Sequence, residues 1–476
     1  MAFPLCKGKD YTGVIEKIVF GGMGMLRWKT EEFSEGFVIF VKGGLPGQTV
    51  LFRITKQKKN YAEGKIVEIL KPSPLEEKSE YEQCPGCAYQ NLPYSSQIGV
   101  KQGQMAEVFR QFSEIKILDI LPSPQTFRYR NKMEFSCGYE KMWVEDNENG
   151  ERIYHDEGFA LGFHPEGSWA MVKRIGDALI ASEKVNALRE MVEEILKNSG
   201  EAPWNPKIFT GFWRGVIFRE SHYTGEIMIN FVVSAARPPE FWEPVIAPLV
   251  MGDMGSVISG IIQTVHTGQS DAITDPQTTL LWGSETFIER LGTVEFEISP
   301  FSFFQTNTLG AEVLYGAVQK MANLSGGETV LDLFCGTGSI GIFLSSQSKK
   351  IRGIEMVEEA VEMAKKNAER NGIHNAEFFA GKVETLLPEL FANGDIPELD
   401  LLIIDPPRTG LHPKALSFIA ENIDATKMIY ISCNPPTLAR DMAFLEDHGW
   451  KALQVQPVDM FPHTPHIECI AELVKK

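Results

Sequence analysis

No stretch of the chain approaches the roughly 18 consecutive apolar residues that a membrane helix needs, so no membrane association is expected. The opening residues MAFPLCKGKD lack an apolar core segment, so no secretory leader is expected either. Cysteine is scarce: seven residues, an odd number scattered through 476, which does not make a disulfide framework. A reducing cytoplasm is the expected location, and each cysteine then needs an explanation in packing, metal binding or catalysis. There is no internal repeat and no low-complexity tract. Basic charge is in deficit, 46 Lys and Arg against 63 Asp and Glu, a net of −17 that, read alone, argues against nucleic-acid binding.

What is present begins with ordinary globular composition. Hydrophobic residues at 43% and charged residues at 23% exclude a disordered or collagen-like chain, and the length suggests roughly two to four domains. Charge is unevenly spread. Residues 1–71 carry 12 Lys and Arg against 7 Asp and Glu, and removing that +5 from −17 leaves −22 for the remainder. This suggests a basic module on an acidic body. Within it, DYTGVIEKIVF, EGFVIFVKG, TVLFRITKQ and NYAEGKIVEIL alternate as short strands, with GGMGML and GGLPGQ as turns, which suggests a small β-barrel. Arg53, Lys56, Lys58 and Lys59 cluster near Tyr61, a combination suited to phosphate contact and base stacking as much as to a solvated face.

Residues 95–113 read as a helix, 182–198 as an amphipathic helix, and DNENG (146–150) as a turn in a region that mixes strands and helices. In FRYRNKMEF (127–135), strand alternation would put Arg128, Arg130 and Lys132 on one face and aromatics on the other, an RNA face or a solvated one. From 328 onward apolar strands alternate with helices, the pattern of a doubly wound α/β sheet.

VLDLFCGTGSIG places Gly336, Gly338 and Gly341 at the head of a helix, where a ligand can approach the backbone. Glu355 ends the next strand, 23 residues after Asp332, where a carboxylate can hold ribose hydroxyls. NAD and S-adenosylmethionine both fit that spacing, and the acid ahead of the glycines favours S-adenosylmethionine. Asp405 ends a further strand at IIDPPRTG. Amino-group methyltransferases of adenine have an aromatic after the two prolines; Arg408 here argues against that chemistry. Cys433 ends the next strand at YISCNPPTLARD, where a nucleophile would be held rigid. FPHTPHIECI gathers His463, His466 and Glu468; the spacing has no standard zinc geometry, and the carboxylate reads better as a base. A thiolate, a methyl donor and a base suit methylation at C5 of uracil. The thiolate adds to C6, C5 gains carbanion character and takes the methyl, and a base removes the C5 proton as the thiolate leaves.

Together SPFSFFQTN, VLDLFCGTG, DPPRTG, SCNPPTLARD and FPHTPHIE resemble, in order and spacing, the RNA uracil-5 methyltransferases that act on tRNA and 23S rRNA. The resemblance covers nearly the whole chain. It implies a TRAM domain, an OB-type RNA-binding barrel, over 1–71, a central α+β RNA-binding domain over 72–290, whose helix near 95–113 is free to pack on the catalytic domain, and a Rossmann-like class I methyltransferase domain over 291–476. It implies that Gln305, Phe334, Glu355 and Asp405, with Gly336 and Gly338, bind S-adenosylmethionine, that Cys433 is the nucleophile and that Glu468 is the base. It favours 23S rRNA as partner, because tRNA-specific bacterial members typically lack TRAM; the tRNA T-loop is the alternative. The chain is expected to be monomeric. A noncatalytic RNA-binding protein and an NAD-dependent oxidoreductase are the competing classes, and neither accounts for Cys433 and Glu468. One departure stands out. Many TRAM-bearing members hold a [4Fe–4S] cluster by C-x5-C-x2-C and a distant fourth cysteine. Cys84 and Cys87 match the last two, Lys78 falls where the first would be, and no cysteine stands near Asp177 for the fourth. No normal cluster is expected; the pair reads as a remnant or partial metal site.

Overall fold

The computed structural model describes residues 5–29, 34–146, 152–165, 167–270, 273, 276–396 and 399–476. The chain forms two compact units, one of Met1–Thr126, Gly316–Asn323 and Pro388–Lys476, the other of Phe127–Tyr315 and Leu324–Leu387. Among the described residues no helix is long and apolar enough to cross a membrane.

The first unit opens with a six-stranded sheet in the order Asp10–Val14, Thr49–Gln57, Tyr61–Lys71, Phe37–Lys42, Met23–Trp28, Lys17–Ile18. Alternation along Phe37–Lys42 sends Phe37, Ile39 and Val41 inward, where they pack with Leu26, Val50, Phe52 and Ile54. The sheet curls into a half-barrel where a small OB-type β-barrel is expected. Its edge strand Lys17–Ile18 is short and contributes only the pairs Lys17↔Met25 and Ile18↔Gly24. The expected turn GGMGML is in fact mostly strand, Met23–Trp28. Gly24 is there for close approach: a Cβ on it would lie 2.6 Å from the Gly44 carbonyl oxygen.

Helix Tyr94–Val108 follows, shorter than the expected 95–113, with Phe109 as its cap residue. Phe109 and Phe112 are both buried, which favours turning the chain inward over extending the helix. The C-terminal part of this unit has parallel strands Leu401–Ile404 and Lys427–Ser432. Glu468–Lys475 runs antiparallel between Lys427–Ser432 and Trp450–Val458, and the short Lys116–Ile117 borders the latter. Helices Pro413–Asn422 and Pro435–Asp447 begin on prolines, whose fixed φ suits a first helical turn.

The second unit holds a seven-stranded sheet in the order Lys173–Arg174, Arg152–Phe163, Lys132–Asp146, Trp213–Glu220, Ile227–Val233, Ile258–Val265, Gln277–Gly283. Phe212, Trp213 and Phe231 interlock, edge-to-face and tilted, with Phe241 and Trp242 of helix Pro239–Met251. Helix Glu183–Lys197 starts where the sequence places it; the Ser182 hydroxyl accepts the Val185 N–H at 3.1 Å. The expected DNENG turn lies, from 147 on, outside the described residues. FRYRNKMEF does not form one strand: the strand begins only at Lys132, and Arg128 sits at φ 57. The unit also holds three parallel strands, Lys350–Glu355 between Thr329–Leu333 and Ala376–Ala380. Thr329–Leu333 is buried along its whole length, with Asp332 the one buried carboxylate among its apolar residues.

Candidate active site

In the second unit, strand Thr329–Leu333 delivers the chain to a tight loop. Phe334, Gly336 and Gly338 take φ of 63, 54 and 78. A left-handed phenylalanine is costly and points to a constrained, functional backbone. The glycines divide their work. A Cβ on Gly338 would press on Ala364, Ile342 and Phe378 at 3.0 Å, and one on Gly341 would meet Ile351 at 2.9 Å, so these two let helix Ser339–Leu344 pack closely. A Cβ on Gly336 would meet only Phe303 Cδ1, at 3.9 Å, so the backbone there is open to a ligand. Asp332 accepts the Gly341 N–H at 3.0 Å and braces the loop from beneath. Glu355, at the end of its strand, accepts from Gly336 N–H at 3.1 Å and from Met356 and Val357 N–H at 2.7 and 3.0 Å. An open glycine edge beside a strand-end carboxylate fits a nucleoside with ribose hydroxyls.

The segment 299–307 lies over this loop. Phe303 is 63% exposed beside Gly336, and its carbonyl accepts from Thr337 Oγ1 at 3.4 Å. Gln305 is nearly buried, and its carbonyl accepts from Asn131 Nδ2 at 2.9 Å. The segment is pinned by Arg219, a buried side chain from strand Trp213–Glu220. Its guanidinium donates to the carbonyls of Ser299, Pro300 (3.2 Å) and Ser302 (2.9 Å). Burial lowers the Arg219 pKa to about 10, so it keeps its proton at neutral pH. Sequence reasoning missed Arg219 and Asn131. Their partners are main-chain carbonyls about 80 and 170 residues away, which leave no local pattern.

In the first unit, Cys433 follows strand Lys427–Ser432 and Glu468 opens strand Glu468–Lys475. The antiparallel register pairs Ser432 with Cys469, so Cys433 and Glu468 are the next residues along the same seam. The DPPRTG loop is tied to the helix after Cys433. Asn434 Nδ2 donates to the Arg408 carbonyl at 2.9 Å, Arg440 to the Thr409 carbonyl at 3.0 Å, and Leu411 N–H to Asp441 at 3.0 Å. The Arg408 side chain lies 3.4 Å from His466 Nδ1, and its charge acts on the Cys433 thiol.

This is a cluster of three acids and one guanidinium, with Glu468 buried and Arg408 exposed. Burial pushes the Cys433 thiol up to about 11, helped by Glu468, while the charge of Arg408 pulls it down against a further push from Asp405. Burial, then Asp405, hold Glu468 well above the usual carboxylate range, and Arg408 opposes them. Burial alone raises Asp405 to about 7. Three acids whose ionisations disfavour one another, with one guanidinium among them, can exchange protons over short distances. Arg408 entered the sequence reading only as an argument against adenine methylation; its action on the Cys433 thiol makes it part of the site.

Comparison with known proteins bears directly on this arrangement. A family model described as tRNA (uracil-5-)-methyltransferase matches residues 292–476, and one for the TRAM domain matches 23–67. An uncharacterized RNA methyltransferase of Clostridium tetani is 35% identical, covering 99% of this chain and 98% of its own. Another, of Bacillus cereus, is also 35% identical over 99% of this chain and 98% of its own. The chain belongs to the RNA uracil-5 methyltransferase family. Its fold is similar to the crystal structure of the Pyrococcus abyssi tRNA (uracil-54, C5)-methyltransferase in complex with S-adenosyl-L-homocysteine. That match has a TM-score of 0.75 and 28% identity, and covers 98% of this chain and 100% of the other.

As a member of the RNA uracil-5 methyltransferase family, the chain is an RNA-modifying, S-adenosylmethionine-dependent enzyme with a TRAM domain. The basic residues expected to meet RNA are placed unevenly. Arg53 is held by Asp10 through two bonds of 2.6 and 2.8 Å, and Lys56 by Glu63 at 2.8 Å. Lys58 and Lys59 are exposed at the turn between strands Thr49–Gln57 and Tyr61–Lys71. Arg128 grips Asp177 at 2.5 Å through both nitrogens and donates to the Ala178 and Ala181 carbonyls. Arg130 donates to the Lys132 carbonyl at 2.9 Å, and Lys132 pairs with Glu134 at 2.5 Å. Arg128 is thus drawn off the alternating face by long-range pairing with Asp177, while Arg130 and Lys132 bond locally. Cys84 and Cys87 are both buried in a turn closed by a 3.0 Å bond from Cys87 N–H to the Cys84 carbonyl. Among the described residues no three His, Cys, Asp or Glu gather as a metal site.

Proposed function

We propose that this enzyme forms 5-methyluridine in RNA, with Cys433 as nucleophile and Glu468 as the base. The observation that carries the reading is the seam that sets Cys433 and Glu468 next to one another, with Asp405 and Arg408 acting on both. Gln305, Phe334, Gly336, Gly338, Glu355 and Asp405 are proposed to hold S-adenosylmethionine, and the open edge at Gly336 and the Glu355 carboxylate suit its backbone and ribose contacts. When bound, that cofactor supplies an electrophilic methyl group.

The chain's own residues do the rest. The Cys433 thiol gives up its proton within the acid cluster, and Arg408 favours the anion. The sulfur adds to C6 of the uracil, leaving enolate character on C5. After C5 is alkylated, Glu468 in its ionised form takes the C5 proton. The C6–S bond then breaks, the electron pair returns to sulfur and the C5=C6 bond is restored.

We read the C-terminal part as a Rossmann-like class I domain, with functional boundaries near 71 and 290, in a monomeric, cytoplasmic enzyme. Arg53, Lys56, Lys58, Lys59, Arg128, Arg130 and Lys132 are proposed RNA contacts, Lys58 and Lys59 foremost because of their exposure. Cys84 and Cys87 are read as a remnant without a cluster. The TRAM domain favours 23S rRNA as substrate. A second reading, the T-loop uridine of tRNA, is favoured by the end-to-end similarity to the Pyrococcus abyssi tRNA enzyme, which spans 98% of this chain. Nucleoside mass spectrometry of separated 23S rRNA and tRNA from a deletion strain decides between them. Loss of 5-methyluridine from rRNA alone supports the first reading and loss from tRNA alone the second; loss from neither overturns both.

A further inference from the structure

The turn from Asp459 to Ile467 joins strand Trp450–Val458 to strand Glu468–Lys475, so its path fixes where Glu468 begins. Helix Tyr94–Val108, which lies outside the matched methyltransferase region, grips this turn. Its buried face is polar: Gln97, Lys101 and Gln104, with Met105. The spacing of four and three residues aligns them on one side. Lys101 Nζ donates to Asp459 Oδ1 at 2.6 Å and to the Phe461 carbonyl at 3.1 Å, and both ion-pair side chains are fully buried. Gln97 Oε1 accepts the His463 N–H at 2.7 Å, and its amide nitrogen lies 3.0 Å from His463 Nδ1. Just ahead of the helix, Tyr89 N–H donates to the His463 carbonyl at 2.9 Å. His463 itself holds φ 67. Beyond the turn, Met105 Sδ lies 3.4 Å from Cys469 Sγ, so the helix touches the chain on both sides of Glu468.

Such a face is a poor device for stability. Desolvating a lysine and an aspartate costs several kcal/mol, and apolar side chains of like size often do as well. What directional bonds supply, and apolar contact does not, is a single placement of the turn. We propose that Gln97 and Lys101 are positioning residues for proton abstraction, holding the Asp459–Ile467 turn so that Glu468 stays in register with Cys433. The proposal rests on the reading of Glu468 as the base. Neither residue touches the reacting atoms.

The test uses the full-length enzyme with S-adenosylmethionine and RNA purified from a strain lacking the protein. Formation of S-adenosylhomocysteine in a single turnover reports methyl transfer. A denaturation-resistant RNA–protein adduct reports delayed elimination. Gln97→Ala should transfer methyl at near the wild-type rate and lengthen the adduct lifetime by about tenfold, short of the roughly 10²-fold or more that loss of the base itself would cost. Lys101→Met combined with Asp459→Leu removes the buried charges together. It should keep its fold and behave the same way, and it carries the test if Gln97→Ala is unstable. Glu468→Gln runs alongside. If it accumulates adduct while the other variants release product at the wild-type rate, the positioning role is overturned and the base stands. If methyl transfer and release fall in parallel, the helix is merely structural. If Glu468→Gln accumulates no adduct, the base assignment fails and the positioning role fails with it.

Discussion

Cys433 and Glu468 occupy adjoining ends of two antiparallel strands, each one residue outside the pair Ser432↔Cys469. The ladder that holds them is buried on both strands, so the sheet sets their separation together with the Asp459–Ile467 turn that leads into Glu468. Cys433→Ala should therefore abolish turnover while leaving cofactor affinity nearly intact, as read by calorimetric titration with S-adenosylhomocysteine. With 5-fluorouridine RNA the wild type should form a lasting adduct, since fluorine does not leave as a proton. Glu468→Gln should still methylate but slow release by about 10²–10⁴-fold, the usual range for losing a general base. An active Cys433→Ala enzyme would remove the nucleophile from the account.

Arg408 sets the pH range of the reaction. The thiolate is the reactive form, and burial and Glu468 raise the Cys433 pKa to about 11. Arg408 is the group that opposes this rise. The rate of adduct formation should climb with pH through the neutral range, because the thiolate fraction grows about tenfold per pH unit below the pKa. Arg408→Ala should raise the thiol pKa further, displace the profile to higher pH and lower the rate at neutrality. Single-turnover adduct formation measured across that range checks the sign. A profile that stays in place would mean the Arg408 charge is not felt by the sulfur.

Parts of this site were legible in sequence because they are local. Gly336, Gly338 and Gly341 share one short motif, and Glu355, Asp405 and Cys433 each stand at a strand end, so the strand pattern, the motifs beside it and the family resemblance singled them out. The strand Met23–Trp28 was hidden because Gly24, needed for close approach to Gly44, reads as a turn residue. Arg128 failed as a strand residue because Asp177 and the carbonyls of Ala178 and Ala181 capture its side chain in a left-handed backbone conformation. The buried polar face of helix Tyr94–Val108 and the carbonyl clamp of Arg219 depend on partners hundreds or tens of residues away, and neither leaves a periodic trace.

Arg219 is the second such long-range contact with a measurable consequence. Its three bonds hold the Ser299, Pro300 and Ser302 carbonyls, and so the approach to Phe303 and Gln305. Arg219→Ala leaves those buried carbonyls without their donor, a loss of about 1–3 kcal/mol for an unsatisfied group. Part should appear as stability and part as weakened S-adenosylhomocysteine binding. KM for S-adenosylmethionine should rise, while kcat at saturation changes little. Added guanidinium should restore part of the affinity. Parallel loss of kcat without a change in KM would place the effect elsewhere.

The basic cluster of the half-barrel supplies the last prediction. Asp10 and Glu63 already share the charges of Arg53 and Lys56, whereas Lys58 and Lys59 stand exposed at the strand turn. A lysine that neutralises a phosphate releases a counterion, and each such contact contributes about 0.7–0.9 to the slope of log affinity against log salt. Replacing Lys58 and Lys59 together by Ala should lower that slope by about 1–2. Replacing Arg53 and Lys56 should change it less, because their acids hold them in the free enzyme and binding must first compete with those acids. Fluorescence anisotropy with labelled RNA over a salt series measures both slopes. Equal losses from the two pairs would mean that the Asp10 and Glu63 pairs open on contact with RNA. No loss from Lys58 and Lys59 would mean that the turn is a solvated face and that the acidic chain gains its RNA affinity from another surface.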